Sequence, residues 1–200
     1  SFGLEGIRFR LHYYNESLML RVPLIGQHSV HTALRAAAVG LVEGLTWAEV
    51  VAGLQQSNTQ LRLTAVRSTT GALILDDTYN ASPESVLAAL NLLSEMEGRK
   101  IAVLGEMREL GQYEQQGYRL VGSRVAEVAQ MLVTVGQSSV QIAETALKSG
   151  FSKANIISVP DIPEAIDLLR DMLGPKDVCL IKGAHGMYMG RIVSALEAGR

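Results

Sequence analysis

The stretch LILDDTYNASPES, residues 73–85, joins three kinds of sequence that decide the fold. An apolar run ends at Asp76 and Asp77, a polar turn follows, and Ser82 and Pro83 open a long amphipathic segment. This order predicts a strand, a loop and a helix, because serine is a good N-cap and proline suits the first helical position. Acidic and amide groups at the carboxyl end of a strand, beside a helix N-terminus, suit a nucleotide or metal–phosphate site. A turn held by Asx-type hydrogen bonds before an ordinary helix is the alternative.

The same alternation of short apolar runs and amphipathic segments continues to the end of the chain. A hairpin is predicted over residues 61–75, and further strands are predicted at 101–104, 131–135, 156–159 and 178–181. Helices are predicted at 83–96, up to about 129, at 140–148, at 163–173 and up to about 197. Unbroken apolar strands between amphipathic helices predict an α/β fold, a Rossmann-like, mostly parallel sheet with helices on both faces.

The first 58 residues have a different sequence pattern. Residues 3–25 alternate like β-structure around a turn at Asn15 and Glu16, and the Ala-rich residues 29–41 have helical spacing. Thr46 and Glu49 have the spacing of a capping box and predict a second helix to about residue 56. The polar residues that follow break this pattern. We therefore expect two domains, residues 1–58 and residues 59–200.

Composition excludes several classes of protein. The chain has 200 residues, a net charge of −2 and 48% hydrophobic residues, which argues against a dedicated nucleic-acid binder with a basic face. The one cysteine, Cys179, lies in an apolar run and is expected to be buried, so we predict neither a disulfide framework nor a cysteine-based metal site. This usage is typical of a reducing cytoplasm. No apolar run reaches the roughly 18 residues of a membrane span. Because the chain begins in strand-like sequence without methionine, we expect a fragment.

Charged side chains also follow other predicted strands. Glu106 comes just after the strand at 101–104, and Lys182 and His185 follow the last strand. Ligands of such sheets bind beyond the carboxyl ends of the strands, so we expect the lysine and the histidine to emerge on the ligand side. These groups could together bind an anionic, phosphorylated ligand. A solvated loop at Glu106 and a surface lysine at 182 are the alternatives, and Arg62 taken alone would be an ordinary solvated arginine.

Three motifs resemble a known family in order and spacing. DDTYNASP at 76–83, AVLGEMRELG at 102–111 and LIKGAH at 180–185 resemble the DDSYNANP, VLGDMxELG and VKGSR patterns of the Mur ligases. Residues 26–30, GQHSV, resemble part of the family's GxHNVxNxLAA segment, and Arg62 lies fourteen residues before Asp76, where the family has a Gly-Arg-Leu/Met element. The resemblance covers nearly the whole chain and is greatest to the members that add a dipeptide.

This resemblance implies a fold and a reaction. Residues 1–58 correspond to the β/helical tail of the family's central ATPase domain, and residues 59–200 to its C-terminal Rossmann-like domain. The GTxGKT phosphate loop and the carbamylated lysine that helps to hold Mg²⁺ are absent, so a C-terminal fragment that is inactive alone is expected. The whole enzyme would use ATP and Mg²⁺, with metal ligands mostly outside this chain, to join D-alanyl-D-alanine to UDP-N-acetylmuramoyl-tripeptide through an acyl phosphate, in peptidoglycan precursor synthesis.

The resemblance also implies roles for individual residues. Those expected at ATP are Arg62, Asp76, Asp77, Tyr79 and Asn80. Those expected to be catalytic are Lys182 and His28. Those expected at the dipeptide and the acyl phosphate are Glu106, Met107, Glu109, Leu110, Gly111 and His185. No metal ligand is assigned. The chain departs from the family pattern at Ser29 and Thr32 (usually Asn), Glu106 (usually Asp), Tyr118 (commonly His) and Ala184-His185 (usually Ser-Arg). Protonated His185 would have to replace that arginine as a partner for a carboxylate.

Two other functions remain open from sequence. The first is another enzyme of the superfamily, such as a different Mur ligase or a folylpolyglutamate-type ligase. The Asp-Asp-x-Tyr-Asn-Ala sequence favours the dipeptide-adding member, and activity on glutamate or meso-diaminopimelate would favour the others. The second is a Rossmann-like binding module without catalysis, which an upstream coding sequence lacking GTxGKT would favour.

Overall fold

The structure is a computed structural model that describes residues 6–24, 29–55 and 63–197. The chain divides into two compact units, Ser1–Leu61 and Arg62–Arg200. Their assignment to the central and C-terminal domains of a ligase stays a prediction. None of the helices in the described ranges is long and apolar enough to cross a membrane.

The first unit is a β-hairpin with two helices. Strands β1 (Ile7–Tyr13) and β2 (Glu16–Val22) pair antiparallel, and helices α1 (Ser29–Val42) and α2 (Trp47–Gln55) follow. The core contains one face of the hairpin together with one side of each helix, and its buried residues are Ile7, Leu11, Leu20, Val22, Ala37 and Val50. The predicted capping box is confirmed, since Thr46 N–H donates to Glu49 Oε2 at 2.8 Å and Glu49 N–H donates to Thr46 Oγ1 at 3.3 Å.

The second unit contains the predicted sheet. Its strands are β3 (Thr64–Arg67), β4 (Leu73–Asp76), β5 (Arg99–Leu104), β6 (Met131–Val135), β7 (Ile156–Val159) and β8 (Asp177–Lys182). They lie in the order β3-β4-β8-β5-β6-β7, and only the β3–β4 hairpin is antiparallel. The prediction of a mostly parallel sheet is confirmed.

Helices cover both faces of this sheet, as predicted. Helices α3 (Pro83–Glu95), α4 (Glu114–Val128) and α5 (Val140–Lys148) pack side by side, while α6 (Ile162–Met172) and α7 (Gly190–Glu197) form a separate pair. The α6–α7 pair packs on alternate strand residues that include Ile74, Val103, Cys179 and Ile181. Because successive strand residues point to opposite faces, Leu180 and Lys182 point to the face that carries α3.

Cys179 is fully buried at the centre of this sheet. Burial raises the pKa of its thiol, because the surrounding apolar side chains do not solvate a thiolate, and the charge of Asp177 adds to this effect. The expected packing role is confirmed. A thiolate nucleophile at this position is excluded by the same burial.

Candidate functional site

Three neighbouring parallel strands, β4, β8 and β5, end at the same edge of the sheet. Their ladders continue just beyond the strand ends, since Asp77 N–H donates to Ile181 O at 3.0 Å and Gly105 N–H donates to Lys182 O at 2.8 Å. The loops that follow are also joined, because Ala184 N–H donates to Glu106 O at 2.9 Å. The structure therefore brings together the three motifs that sequence analysis singled out.

The first of these loops is a tight turn into α3. Asp76 Oδ1 accepts a hydrogen bond from Thr78 N–H at 3.0 Å, which is an Asx turn and gives Asp76 a local structural role. Ser82 caps α3, and Ser82 and Ser85 bond each other reciprocally as a capping box. The positive end of this helix dipole lies next to the turn that carries Asp77 and Asn80.

Lys182 is the last residue of β8, and only 2% of its side chain is exposed. Its Nζ lies 2.6 Å from Asp77 Oδ2 and donates to Asn80 O at 2.8 Å. The ammonium therefore reaches the turn at this edge but is buried instead of exposed, and its role at a ligand stays a prediction. The physical reason for this burial is strand alternation, because position 182 points to the α3 face and lies beneath the turn instead of beyond the strand end.

Tyr79 and His185 make an exposed contact between the turn after β4 and the loop after β8. The Tyr79 side chain is 52% exposed, and its backbone oxygen lies 3.2 Å from Nδ1 of His185. The two rings are tilted, with centroids 5.5 Å apart. His185 is exposed and begins a short 3₁₀ turn, His185–Met187, that sequence analysis did not predict. His185 is thus exposed at this edge, as expected, and its role at a ligand stays a prediction.

The loop after β5 carries an ion pair between Glu106 and Arg108. Sequence analysis predicted Glu106 as a site residue but did not predict Arg108. Glu106 Oε2 accepts from Arg108 Nη2 at 3.2 Å and Nε at 3.3 Å, and Glu106 Oε1 accepts from Ser138 N–H at 3.3 Å. Arg108 occupies the variable position of the family motif, which is why the motif did not single it out. A Cβ at Gly186 would lie 2.8 Å from Arg108 Nη1, so this guanidinium lies against the loop after β8.

Hydrogen bonds between Met107 and the buried Tyr118 fix the middle of this loop. Met107 is 3% exposed, and its backbone N–H and C=O both bond the hydroxyl of Tyr118, at 3.0 and 3.1 Å. Tyr118 is 1% exposed, and burial raises the pKa of its hydroxyl. Glu109 and Gly111 have positive φ angles of 62° and 53°, which make the sharp turn into the 3₁₀ segment Gly111–Tyr113. Of these loop residues, Glu109 presents an exposed side chain, Leu110 is half-buried, and Met107 faces the core.

Two predicted site residues, Arg62 and His28, lie outside the described residues. Within the described ranges, no group of three or more His, Cys, Asp or Glu side chains is placed to hold a metal ion. The charges at the edge of the sheet are mostly paired, Lys182 with Asp77 and Arg108 with Glu106. Such an edge offers positively charged donors and negatively charged acceptors to a polar ligand.

The region that contains this site matches a known protein family. Residues 61–185 match the model of the Mur ligase glutamate ligase domain. The chain is 31% identical over 179 residues to the UDP-N-acetylmuramoyl-tripeptide–D-alanyl-D-alanine ligase of Bacillus subtilis, an alignment that covers 88% of this chain and 39% of that protein. The chain thus spans about two fifths of the length of the curated relatives it matches.

Solved structures are also similar. A crystal structure of MurF from Acinetobacter baumannii matches with a TM-score of 0.84 and 28% identity, over 98% of this chain and 43% of that one. MurF from Thermotoga maritima in complex with ADP matches with a TM-score of 0.77 and 22% identity, over 95% of this chain and 43% of that one, and it shares the fold.

Proposed function

The chain belongs to the Mur ligase family, and we propose that it is the C-terminal part of an ATP-dependent ligase that adds D-alanyl-D-alanine to UDP-N-acetylmuramoyl-tripeptide. One observation carries the proposal. The three family-like motifs converge on one sheet edge, where Asp77, Glu106 and His185 lie on adjoining loops. Relatives named for that activity are about 31% identical over most of the chain, which supports the choice of the dipeptide as the amine substrate.

The reaction has two steps. A carboxylate oxygen of the tripeptide attacks the γ-phosphorus of ATP, forming an acyl phosphate and ADP. The free amine of the dipeptide then attacks the acyl carbon, the amide bond forms, and inorganic phosphate leaves as the amine loses a proton. A carboxylate is a poor acyl donor, and phosphorylation supplies the leaving group. The protein's main contribution is then to position the reactants and to stabilise charge.

We assign the turn after β4 to the nucleotide. Asp77 offers a carboxylate oxygen for a ribose hydroxyl, Asn80 offers an amide for ribose or phosphate, and the 52% exposed ring of Tyr79 offers an apolar surface. Asp76 joins this group less directly, because its Oδ1 is bonded to Thr78 N–H. Arg62 and His28, predicted for ATP and for catalysis, remain part of the proposal as residues outside the described ranges.

We assign the loops after β5 and β8 to the dipeptide and the acyl phosphate. A free dipeptide carries an ammonium and a carboxylate, and these loops offer a carboxylate at Glu106 and cations at Arg108 and His185. Arg108 supplies the planar guanidinium that the family places at position 185. The backbone of Glu109 and Gly111 shapes the loop, while buried Met107 and half-buried Leu110 anchor it.

The whole enzyme would need Mg²⁺ with its ATP. The described residues do not form a metal-binding group, and the family resemblance places the metal ligands mostly outside this chain. Bound to ATP, Mg²⁺ neutralises phosphate charge during the transfer. We place the reaction in the cytoplasm, where ATP is available and where a single reduced cysteine is usual.

A substrate panel with the full-length protein tests the activity. We expect ADP release that requires both UDP-N-acetylmuramoyl-tripeptide and D-alanyl-D-alanine. Turnover with glutamate or meso-diaminopimelate, and none with the dipeptide, would replace the proposal with another Mur ligase activity. No ADP release with any combination of substrates would favour a Rossmann-like binding module without catalysis.

Variants at the turn after β4 test the site assignment. Asp77→Ala should raise the KM for ATP, and so should Arg62→Ala if the family role of that residue holds. Asp167→Ala is the matched control, because Asp167 is an exposed carboxylate on α6. ATP kinetics at the wild-type level in both site variants would refute the assignment.

A further inference from the structure

We infer that Lys182 is a positioning residue that fixes the turn at residues 77–80, and that it acts on the reaction through this turn rather than by touching the reacting groups. Resemblance to the family places Lys182 at the acyl phosphate. The structure places its ammonium inside the fold. The kinetic part of this inference rests on the proposed function, and the structural part does not.

Burial is the first argument. With 2% of its side chain exposed, Lys182 has no open path to a ligand on the surface of the sheet edge. A lysine ammonium has three N–H donors. Within the described residues, its Nζ lies 2.6 Å from Asp77 Oδ2, 2.8 Å from Asn80 O and 3.5 Å from Asp77 O. The charge and the donors are thus directed into the turn.

The identity of the acceptors is the second argument. They belong to the first and the last residue of the turn, so one ammonium ties both ends of residues 77–80 to strand β8. The first end is tied a second time, because Asp77 N–H donates to Ile181 O at 3.0 Å. A four-residue turn with both ends bonded to one neighbouring strand has little freedom to move. Its outward groups are therefore held in a fixed arrangement.

The position of Tyr79 is the third argument. It lies between the two tied ends, and its backbone oxygen lies 3.2 Å from Nδ1 of His185. Strand β8 and the loop after it therefore both contact the turn, through Lys182 at Asp77 and Asn80 and through His185 at Tyr79. The groups assigned to ATP depend on Lys182 for their geometry, whereas the loop after β5 that is assigned to the dipeptide does not contact it through any of these bonds.

Amide hydrogen exchange of the full-length protein, read by mass spectrometry, tests the structural part. In Lys182→Met we expect the amides of Asp77 and Thr78, which donate to Ile181 O and Asp76 Oδ1, to exchange roughly tenfold faster or more. The reason is that the turn can then open without breaking the bonds of the ammonium. The control is Lys148→Met, an exposed lysine at the end of α5, which should leave the exchange of the turn unchanged. Wild-type exchange of the turn in a folded Lys182→Met protein would overturn the inference.

If Lys182→Met does not fold, Lys182→Gln takes its place. Glutamine keeps two N–H donors for the backbone oxygens but lacks the charge that pairs with Asp77. Its turn should also exchange faster than that of the wild type, and an unchanged turn would again overturn the inference.

Steady-state kinetics test the functional part. Lys182→Met should raise the KM for ATP roughly tenfold or more, because displaced contact groups weaken binding, while kcat and the KM for the dipeptide change little. Lys182→Arg, which keeps a cation, should recover part of the loss. A fall in kcat with an unchanged KM for ATP would instead indicate contact with the reacting atoms. If the wild-type enzyme shows no ligase activity, the proposed function fails, and hydrogen exchange still decides the role of Lys182.

Discussion

The Nζ of Lys182 lies 2.6 Å from Oδ2 of Asp77, in an ion pair whose side chains are only 2% and 13% exposed. Removing two charges from water is costly, and the attraction between them largely offsets that cost. Such a pair contributes little net stability over an apolar pair of the same volume. Removing only one of the two charged side chains lowers the free energy of unfolding strongly, because the remaining charge then stays buried without its counterion.

This asymmetry predicts the stability of variants at the pair. Lys182→Met should lower the free energy of unfolding by about 3 kcal/mol, since it leaves Asp77 beneath the turn without the ammonium. The double variant Asp77→Leu/Lys182→Met should recover a large part of that loss. Urea denaturation of the three proteins measures both effects. Additive losses in the double variant would contradict the prediction, because they would mean that the two side chains act independently.

Removal of the cap of α3 should also be measurable. Ser82 Oγ accepts from Ser85 N–H at 3.3 Å, and Ser85 Oγ accepts from Ser82 N–H at 2.9 Å. Ser82→Ala should lower the free energy of unfolding by about 1 kcal/mol, because a helical N–H loses its acceptor. Thermal unfolding measures the change. The control is Ser94→Ala, whose Oγ donates to Asn91 O within the last turn of the same helix. An equal loss in both variants would show that capping is not the cause.

Much of the fold could be predicted from sequence. Strands β6 and β7 and helix α5 begin and end at the predicted residues, Met131–Val135, Ile156–Val159 and Val140–Lys148. Each is a continuous apolar or amphipathic run bounded by polar residues, glycine or proline, so local sequence alone is enough to predict it. The 3₁₀ turn His185–Met187 was missed, because it depends on loop packing and not on periodicity.

The site could be predicted only in part, for a related reason. Motif order correctly indicated which loops meet at one edge. It did not indicate which side of the sheet Lys182 faces, since that depends on strand alternation and on the neighbour, β4. Tyr118 supports Met107 from eleven residues further along the chain, and no motif joins the two. Contacts between distant residues were the missing information.

The ion pair of Asp177 with Arg99 predicts a pH dependence. Two bonds, at 2.8 and 2.7 Å, join the guanidinium to the carboxylate, and Gly174 N–H donates to it at 2.8 Å. Burial alone would raise the pKa of Asp177, but the hydrogen bonds from Arg99 and Gly174 and the charge of Arg99 outweigh it, so this pKa is lowered. A lowered pKa stabilises the fold above the unfolded-state value and stops doing so as the pH falls through the folded-state value.

Asp177→Asn should therefore cost about 2 kcal/mol at pH 7, and its difference from the wild type should shrink below pH 3.8, the ordinary value for this carboxyl. Chemical denaturation between pH 7 and pH 3 measures the difference. Asp167→Asn, an exposed residue of α6, is the control and should show little effect. A difference that is independent of pH would refute the role of the ionised carboxylate.

Burial of Cys179 predicts slow chemical modification. The thiol is fully buried in the sheet, and burial raises its pKa, so almost no thiolate is available at neutral pH. A disulfide reagent should label the native protein much more slowly than the protein in denaturant. Ser149→Cys, at an exposed position after α5, is the positive control and should be labelled rapidly in the native state. Rapid labelling of the native wild-type protein would contradict the buried position.

The last prediction concerns Tyr118, whose hydroxyl both accepts from Met107 N–H and donates to Met107 O. Tyr118→Phe keeps the ring but leaves two buried backbone groups without this partner, which should cost about 1–3 kcal/mol. The loop that carries Glu106 and Arg108 should also loosen. In the full-length enzyme the KM for the dipeptide should then rise while the KM for ATP stays constant, the reverse of the result expected for Lys182→Met.

Tyr113→Phe is the matched control, because Tyr113 is 62% exposed in the short helix after the same loop. It should change neither stability nor kinetics. If Tyr118→Phe lowered stability but left both KM values unchanged, the hydroxyl would support the fold without setting the position of the loop. A rise in the KM for ATP alone would place the loop after β5 on the nucleotide side and would exchange the two halves of the proposed site.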